Sequence, residues 1–348
     1  MQHERRPRLT PAIADVRRAV REALPTVSRH DDRSDPLVLV GLSGGADSLA
    51  LAAATAFEGP RAGIRVGAVI VDHGIQAGSA QVAERAAAQA RALGIDRVLV
   101  KTVTVDPGAG GPEAGARTKR YAAFAQALAE TGAEYVLLAH TLDDQAETVL
   151  LGLARGSGPV SLHGMDRLSG RYLRPLLGVR RSTTRQFCVD SRLQHWDDPQ
   201  NLDPAFTRVR VRETVLPILE KELGPGVAEA LARTAQQLRE DTDALDGLAL
   251  EWARELTAQE PDGSIALDVR GLESDPAALR QRIIRLVVGN EFGVWLHRVH
   301  TVAVAGLITD WHGQKALALP GVTVVRQGGR LIFRPATTIN PVSKATTR

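Results

Sequence analysis

The sequence predicts an α/β protein: a doubly wound parallel sheet, then a helical linker, then a small α+β C-terminal domain. Three observations predict it. Four short runs rich in Val, Leu and Ile, at 37–40, 65–71, 97–105 and 133–139, alternate with Ala-rich segments of helical spacing. Strands and helices alternating in this way form a parallel sheet covered on both faces. After Pro217 the pattern changes to a long amphipathic stretch over 226–257, and the last hundred residues mix two helical patterns with a hairpin around Gln327-Gly-Gly329.

Taken in order, residues 1–35 are Arg-rich, with Ile13, Val16, Val20 and Leu24 at helical spacing inside them. Segments 49–57, 79–93, 113–130 and 143–154 read as the helices between strands. In the linker Leu231, Leu238, Leu245 and Trp252 fall seven apart, a packing stripe rather than a cofactor box. Segments 277–288 and 297–308 read as helices, and 322–326 with 331–334 as the hairpin. The domain boundaries implied are 1–35 for an N-terminal extension, 36–218 for the sheet domain, 219–258 for the linker and 259–340 for the last domain.

Composition narrows the class. One cysteine, Cys188, leaves neither a disulfide framework nor a Cys-based zinc site. Asp15, Arg17 and Arg18 interrupt any apolar core of an export signal, and the apolar stretch 48–57 is too short to span a bilayer. A cytoplasmic protein without membrane attachment is expected. The net charge of +3 is small, but residues 155–212 hold eleven Arg against five Asp and no Glu or Lys. That excess could hold a polyanion. It could equally reflect a general preference for Arg, since Lys is only five of 43 basic residues. His195 and Trp196 read as core.

The strongest motif is Leu37-Val-Leu-Val-Gly-Leu-Ser-Gly-Gly-Ala-Asp-Ser48, running from a strand through a tight turn into a helix. Gly44 and Gly45 allow backbone angles closed to other residues and a close approach by an anion. The free amides and positive end of the following helix face that anion, and Ser43 and Ser48 can add hydroxyls. No Gly-Lys pair occurs, so this is not a Walker A loop. A plain capped strand–helix corner would share the glycines, but not the whole Ser-Gly-Gly-x-Asp-Ser string. A second constellation, His140-Thr-Leu-Asp-Asp-Gln-Ala-Glu-Thr148, follows the fourth strand, on the rim where a doubly wound sheet binds ligands. Asp143 and Glu147 are spaced i, i+4 on one helix face and could hold magnesium or an ammonium group.

The first motif resembles the PP-loop ATP pyrophosphatase superfamily, whose fold is adenine nucleotide α-hydrolase-like. The second, with Glu113-Ala-Gly-Ala-Arg-Thr-Lys-Arg-Tyr121, Arg155-Gly-Ser-Gly158, His163-Gly-Met165, Arg174-Pro-Leu-Leu177, Asp198-Pro-Gln-Asn-Leu-Asp203 and Phe206-Thr-Arg208, resembles the tRNA(Ile)-lysidine synthases. The likeness runs over roughly 36–220 and is looser beyond. Gln76, Gln200 and Val209 depart from the pattern, as does Pro159-Val-Ser161.

The resemblance implies a ligase that uses ATP and magnesium to join free L-lysine to the wobble cytidine of an isoleucine tRNA with a CAU anticodon. It implies ATP binding at Ser43, Gly44, Gly45, Ala46, Asp47 and Ser48, with Asp47 near the magnesium ion and His73 near the nucleotide. Arg117 and Arg120 would face phosphate or the activated base, and His140, Asp143 and Glu147 would position lysine and the adenylate. The last domain and the Arg-rich segment would hold the tRNA. A thiolase-type PP-loop enzyme is the rival, opposed by the lone Cys188; a non-catalytic nucleotide- or RNA-binding protein is another. Oligomeric state stays open, a homodimer included.

Overall fold

β1, Leu37–Gly41, has no charged side chain and is buried along four of its five residues. In the computed structural model, which describes residues 9–28, 36–74, 78–104, 111–156 and 158–336, this strand is the axis of the first of two units, Met1–Leu238 and Arg239–Arg348. β2 (Arg65–Asp72), β3 (Arg97–Thr102), β4 (Tyr135–Leu137), β5 (Leu168–Ser169) and β6 (Tyr172–Leu173) complete a sheet of order β3-β2-β1-β4-β6-β5. All neighbours are parallel except β5 with β6. Val38 pairs with Val66 on one side and Tyr135 on the other. The period of two in β1 sorts its side chains between two cores. Val38 and Val40 face a cluster with Leu49, Ala83, Ala86 and Phe187, whereas Leu37 and Leu39 face Phe124, Ala127 and Leu128. Chain order reverses between β1 and β4, so the crevice at their carboxyl ends is the ligand-binding position of this topology.

Four of the helices expected between strands are present, as Ala46–Glu58, Ser79–Ala92, Gly111–Thr131 and Leu142–Ala154. The helix expected near the N-terminus is Pro11–Ala23, started by Thr10 as N-cap and Pro11 in the first turn. It buries Ile13, Val16 and Val20 in the larger core of the first unit, so this segment is part of that unit. The two-residue strands β5 and β6 are an addition to the sequence-based expectation. Arg5, Arg6 and Gln76 lie outside the described residues.

The second unit holds an antiparallel sheet. β7 (Thr257–Gln259), β8 (Ile265–Asp268), β9 (Leu317–Leu319), β10 (Val322–Gln327) and β11 (Arg330–Pro335) pair in the order β7-β8-β11-β10-β9. Leu267, Val324 and Phe333 of the sheet pack with Ile283, Ile284, Val304 and Ile308 of helices Ala277–Phe292 and Arg298–Thr309. The stripe of the long helix Val227–Leu256 serves two cores: Leu231 packs with Leu142, Ala146 and Leu216, while Leu245 and Trp252 pack in the second unit. Among the described residues, no helix is long and apolar enough to cross a membrane.

Candidate active site

The turn between β1 and the Ala46–Glu58 helix needs one residue with a positive φ, and Gly44 supplies it at 86°. Gly45 does not: at φ −72° and ψ 162° it is ordinary extended backbone. Its surroundings leave space, because a Cβ there would meet nothing nearer than Ser43 Oγ at 3.6 Å. The loop is braced from within by Ser48. Its Oγ donates to the Gly45 carbonyl at 3.0 Å, accepts from the Ser43 amide at 3.1 Å and lies 3.1 Å from Ser43 Oγ. The helix that follows starts at Ala46 with no side-chain cap on its first amides. An uncapped helix N-terminus beside a glycine-bearing turn binds anions through those amides and the helix dipole.

This loop forms one wall of a cavity of about 410 Å³. Ser43, Gly45, Asp47 and Ser48 line it, with Gly44 and Ala46 buried behind them. The end of β2 contributes Asp72 and His73, and the Gly111–Thr131 helix contributes Arg120 and Phe124. His140 enters from the turn after β4. Trp196, Asp198, Gln200 and Asn201 close a further side, their segment tied to the loop by the Trp196 amide donating to the Gly44 carbonyl at 2.9 Å. Trp196 is therefore half-buried at a ligand cavity and not a core residue. Gln200 is a lining residue, and Val209 is buried.

The histidines of the cavity are held neutral. Burial pushes His140 from 6.5 down to about 4; Arg174, Arg117 and Arg208 act in the same direction, against Asp144. His73 is lowered by burial and then by the Arg120 charge. Both Nδ1 atoms are buried with no hydrogen-bond partner among the described residues. Asp47 is raised by burial, opposed by a hydrogen bond from Thr184 Oγ1 and by the Arg181 charge 3.5 Å from Oδ2.

Asp143 and Glu147 take a different place from the one expected for lysine or magnesium ligands. Neither lines the cavity. Glu147 is fully buried; its Oε1 accepts from Arg212 Nε at 2.7 Å and Arg181 Nη1 at 3.2 Å, and its Oε2 accepts from Arg212 Nη2 at 3.0 Å. Asp143 accepts from the Arg181 amide at 2.7 Å and lies 3.5 Å from Arg180. Asp144, which the i, i+4 spacing passes over, caps its helix through Thr141 and accepts from Arg181 Nη2 at 2.8 Å. The Arg181 charge and the Thr141 hydrogen bonds outweigh burial and hold Asp144 below the usual carboxylate range. The physical reason is compensation: buried carboxylates persist when paired and hydrogen-bonded. Several arginines of 155–212 are thus engaged by the chain itself, Arg181, Arg208 and Arg212 on this cluster and exposed Arg171 on the backbone carbonyls of Ala133 and Glu134.

Arg117 is exposed, 5.0 Å over the Tyr121 ring, and is not a wall residue. No group of three or more His, Cys, Asp or Glu side chains suited to a metal ion occurs among the described residues.

A parallel sheet with an anion cradle at its central strand-to-helix turn, opening on a cavity of nucleotide size, defines a PP-loop ATP-binding protein. The PP-loop domain profile matches residues 16–219, and that of the TilS substrate binding domain matches 267–332. A tRNA(Ile)-lysidine synthase of Leifsonia xyli subsp. xyli is 69% identical over 301 residues, 86% of this chain and 90% of that one. One from Streptomyces coelicolor is 51% identical over 352 residues, 93% and 98% of the two chains. The chain belongs to the tRNA(Ile)-lysidine synthase family. Among solved structures, a U34-tRNA thiolase, NcsA from Methanococcus maripaludis with its 4Fe-4S cluster, superposes with a TM-score of 0.52 at 20% identity. That match covers 66% of this chain and 80% of the thiolase, and it shows the shared fold.

Proposed function

We propose that this chain, working in the cytoplasm, uses ATP to join lysine to the wobble cytidine of the CAU-anticodon isoleucine tRNA. The observation that carries the reading is the uncapped Ala46–Glu58 helix start opening on a cavity that also holds His73, Arg120 and His140. In the first step the cytosine O2 attacks the α-phosphorus of ATP and diphosphate leaves. In the second, the lysine side-chain amine, after losing a proton, attacks C2; the C2–O2 bond breaks and AMP departs with that oxygen.

Residues 43–48 bind the diphosphate portion through backbone amides and the Ser43 hydroxyl. Arg120 sits where a guanidinium can meet a phosphate or the activated base, and exposed Arg117, one helical turn earlier, supports it from outside the wall. His140, neutral above about pH 4, can donate a hydrogen bond to a developing charge without adding one of its own. The carboxylates that line the cavity are Asp47, Asp72 and Asp198, and these are the groups available to the lysine ammonium. Asp143 and Glu147 instead hold Arg180, Arg181 and Arg212 in place.

Magnesium fits this site as a partner of the nucleotide. It keeps several waters and takes one or two carboxylates plus phosphates, so Asp47 alone at the loop suffices. Bound there, it would neutralise phosphate charge. The 259–340 region is assigned to tRNA. A thiolase-type reaction has little to stand on, since the sole cysteine, Cys188, is buried against the Ala46 carbonyl and its thiol is pushed up to about 12.

The test is incubation with ATP, magnesium, radiolabelled lysine and an unmodified isoleucine tRNA transcript, with a CAU-anticodon methionine tRNA as control. Label in the isoleucine tRNA alone, with AMP released, supports the proposal. AMP formed with no lysine incorporated would leave an adenylating enzyme and sink the lysine assignment.

A further inference from the structure

The second unit presents an indole to solvent on a prepared seat. Trp295, between helices Ala277–Phe292 and Arg298–Thr309, is 73% exposed. Its six-membered ring rests against Gly289: a Cβ at that position would meet Cζ3, Cη2 and Cε3 at 3.0, 3.2 and 3.3 Å. Glycine weakens a helix interior relative to alanine, and alanine here would require the ring to give by a few tenths of an ångström.

Two arginines lie near it in the chain. Arg285 lies one turn before Gly289 on the same helix face, and Arg298 follows Trp295 by three residues. Burial and the neighbouring Arg282 and Arg298 charges lower the Arg285 guanidinium, against a smaller opposing effect of Asp246. Asp246 is occupied by Arg282 at 2.7 Å. Neither Arg285 nor Arg298 makes an ion pair among the described residues. Val299 and Val302, 69% and 45% exposed, continue the apolar part of the surface. The unit as a whole is balanced, with 13 basic and 13 acidic residues over 239–348, so this local excess arises from placement.

An exposed aromatic ring flanked by unpaired guanidiniums matches the way proteins hold single-stranded or unpaired nucleotides, by stacking on a base and neutralising adjacent phosphates. A second copy of the chain fits less well, since a two-fold contact through this face would bring the guanidiniums against one another. We propose that the Trp295–Arg298–Arg285 face is a contact for the tRNA substrate, with the indole stacked on an unpaired base and the guanidiniums on flanking phosphates. This rests on the tRNA reading above.

The experiment measures equilibrium binding of the full-length chain to fluorescently labelled isoleucine tRNA transcript, without ATP, over a range of salt. Lysine incorporation is followed in parallel. Trp295→Ala should weaken binding about tenfold or more, and Trp295→Phe should restore most of it. Arg298→Ala should lower the slope of log affinity on log salt by about 0.7 to 0.9. KM for ATP and kcat at saturating tRNA should not move, and Trp311→Ala, an indole elsewhere in the unit, should bind as wild type. If wild type binds and modifies tRNA while Trp295→Ala and Arg298→Ala bind equally well, the face is not a contact and the function stands. Loss of self-association in Trp295→Ala at unchanged tRNA affinity would assign the face to a second copy and overturn the proposal. A wild-type chain that neither binds nor modifies tRNA removes both readings.

Discussion

On the cavity side of the PP-loop, among the described residues, the first amides of the Ala46–Glu58 helix have no capping side chain and the Nδ1 atoms of His73 and His140 have no partner. On the other side Glu147 has both oxygens occupied by arginines, and Asp143 and Asp144 are engaged as well. Asp47 belongs to both regions, lining the cavity while accepting from Thr184 and facing Arg181. The difference separates work from support. An unsatisfied buried polar group is costly, so it persists where a ligand completes it. A fully satisfied buried charge cluster has nothing left to offer a substrate and instead fixes geometry.

That contrast can be broken by mutation. Glu147→Ala leaves Arg181, Arg208 and Arg212 without their shared carboxylate and should cost about 3–5 kcal/mol. The melting transition of the first unit should fall by roughly 10 °C. A Glu147→Ala protein as stable as wild type but inactive would show that Glu147 serves substrate after all. On the cavity side, Asp47→Ala should lower kcat/KM for lysine incorporation about 10²–10³-fold, the usual cost of losing a charge-stabilising group. Its affinity for tRNA without ATP should hold, and equal loss of both would contradict the assignment of Asp47 to the nucleotide.

Acid sharpens the comparison through His140. Its folded pKa of about 4 lies below the ordinary 6.5, so the unfolded chain takes up the proton first. The stability is intact above pH 6.5 and is lost as pH falls toward 4, about 3 kcal/mol in all. Denaturant midpoints at pH 7, 6, 5 and 4.5 should show that slope in wild type and a flatter one in His140→Asn. Parallel slopes would mean the imidazole is not the group responsible.

The smallest effect divides the two loop glycines. Gly44→Ala places a Cβ at φ 86° and should cost about 1–2 kcal/mol of stability. Gly45→Ala, where a Cβ has room, should leave stability unchanged and raise KM for ATP if the phosphates bind at this loop as proposed. Thermal melts and ATP titrations of the pair decide it; an unchanged KM in Gly45→Ala would place the nucleotide elsewhere.

Much of the sheet was legible because its strands are uninterrupted apolar runs. β1 to β4 and the helices between them need no distant information, since Leu, Val and Ala at these spacings bury the same faces in any doubly wound arrangement. β5 and β6 were not legible: two-residue strands carry no period, and they are placed by β6 pairing with β4 and by Arg171 of their turn donating to the Glu134 carbonyl. In the site, the 43–48 loop could be recognised from its string, yet the roles of its glycines could not, because φ at Gly44 and open space at Gly45 look alike as letters. The i, i+4 spacing drew attention to Asp143 and Glu147 and away from Asp144, which joins the same cluster. Trp196 was read as core from the usual burial of tryptophan, with no local signal that its segment folds back onto Gly44.

What the amino-acid sequence determined by itself is whatever depends on neighbours along the chain: the strand–helix alternation, the cradle between β1 and its helix, the absence of a second cysteine to support sulfur chemistry. What the tertiary structure decided is how charges far apart in sequence share space. Arg181 and Arg212 stand 34 and 65 residues from Glu147, and their approach turns a motif carboxylate into a buried support while His140, seven residues earlier, stays open to the cavity. Electrostatic energies depend on distance and desolvation in three dimensions, and neither quantity is written in the spacing of residues along a chain.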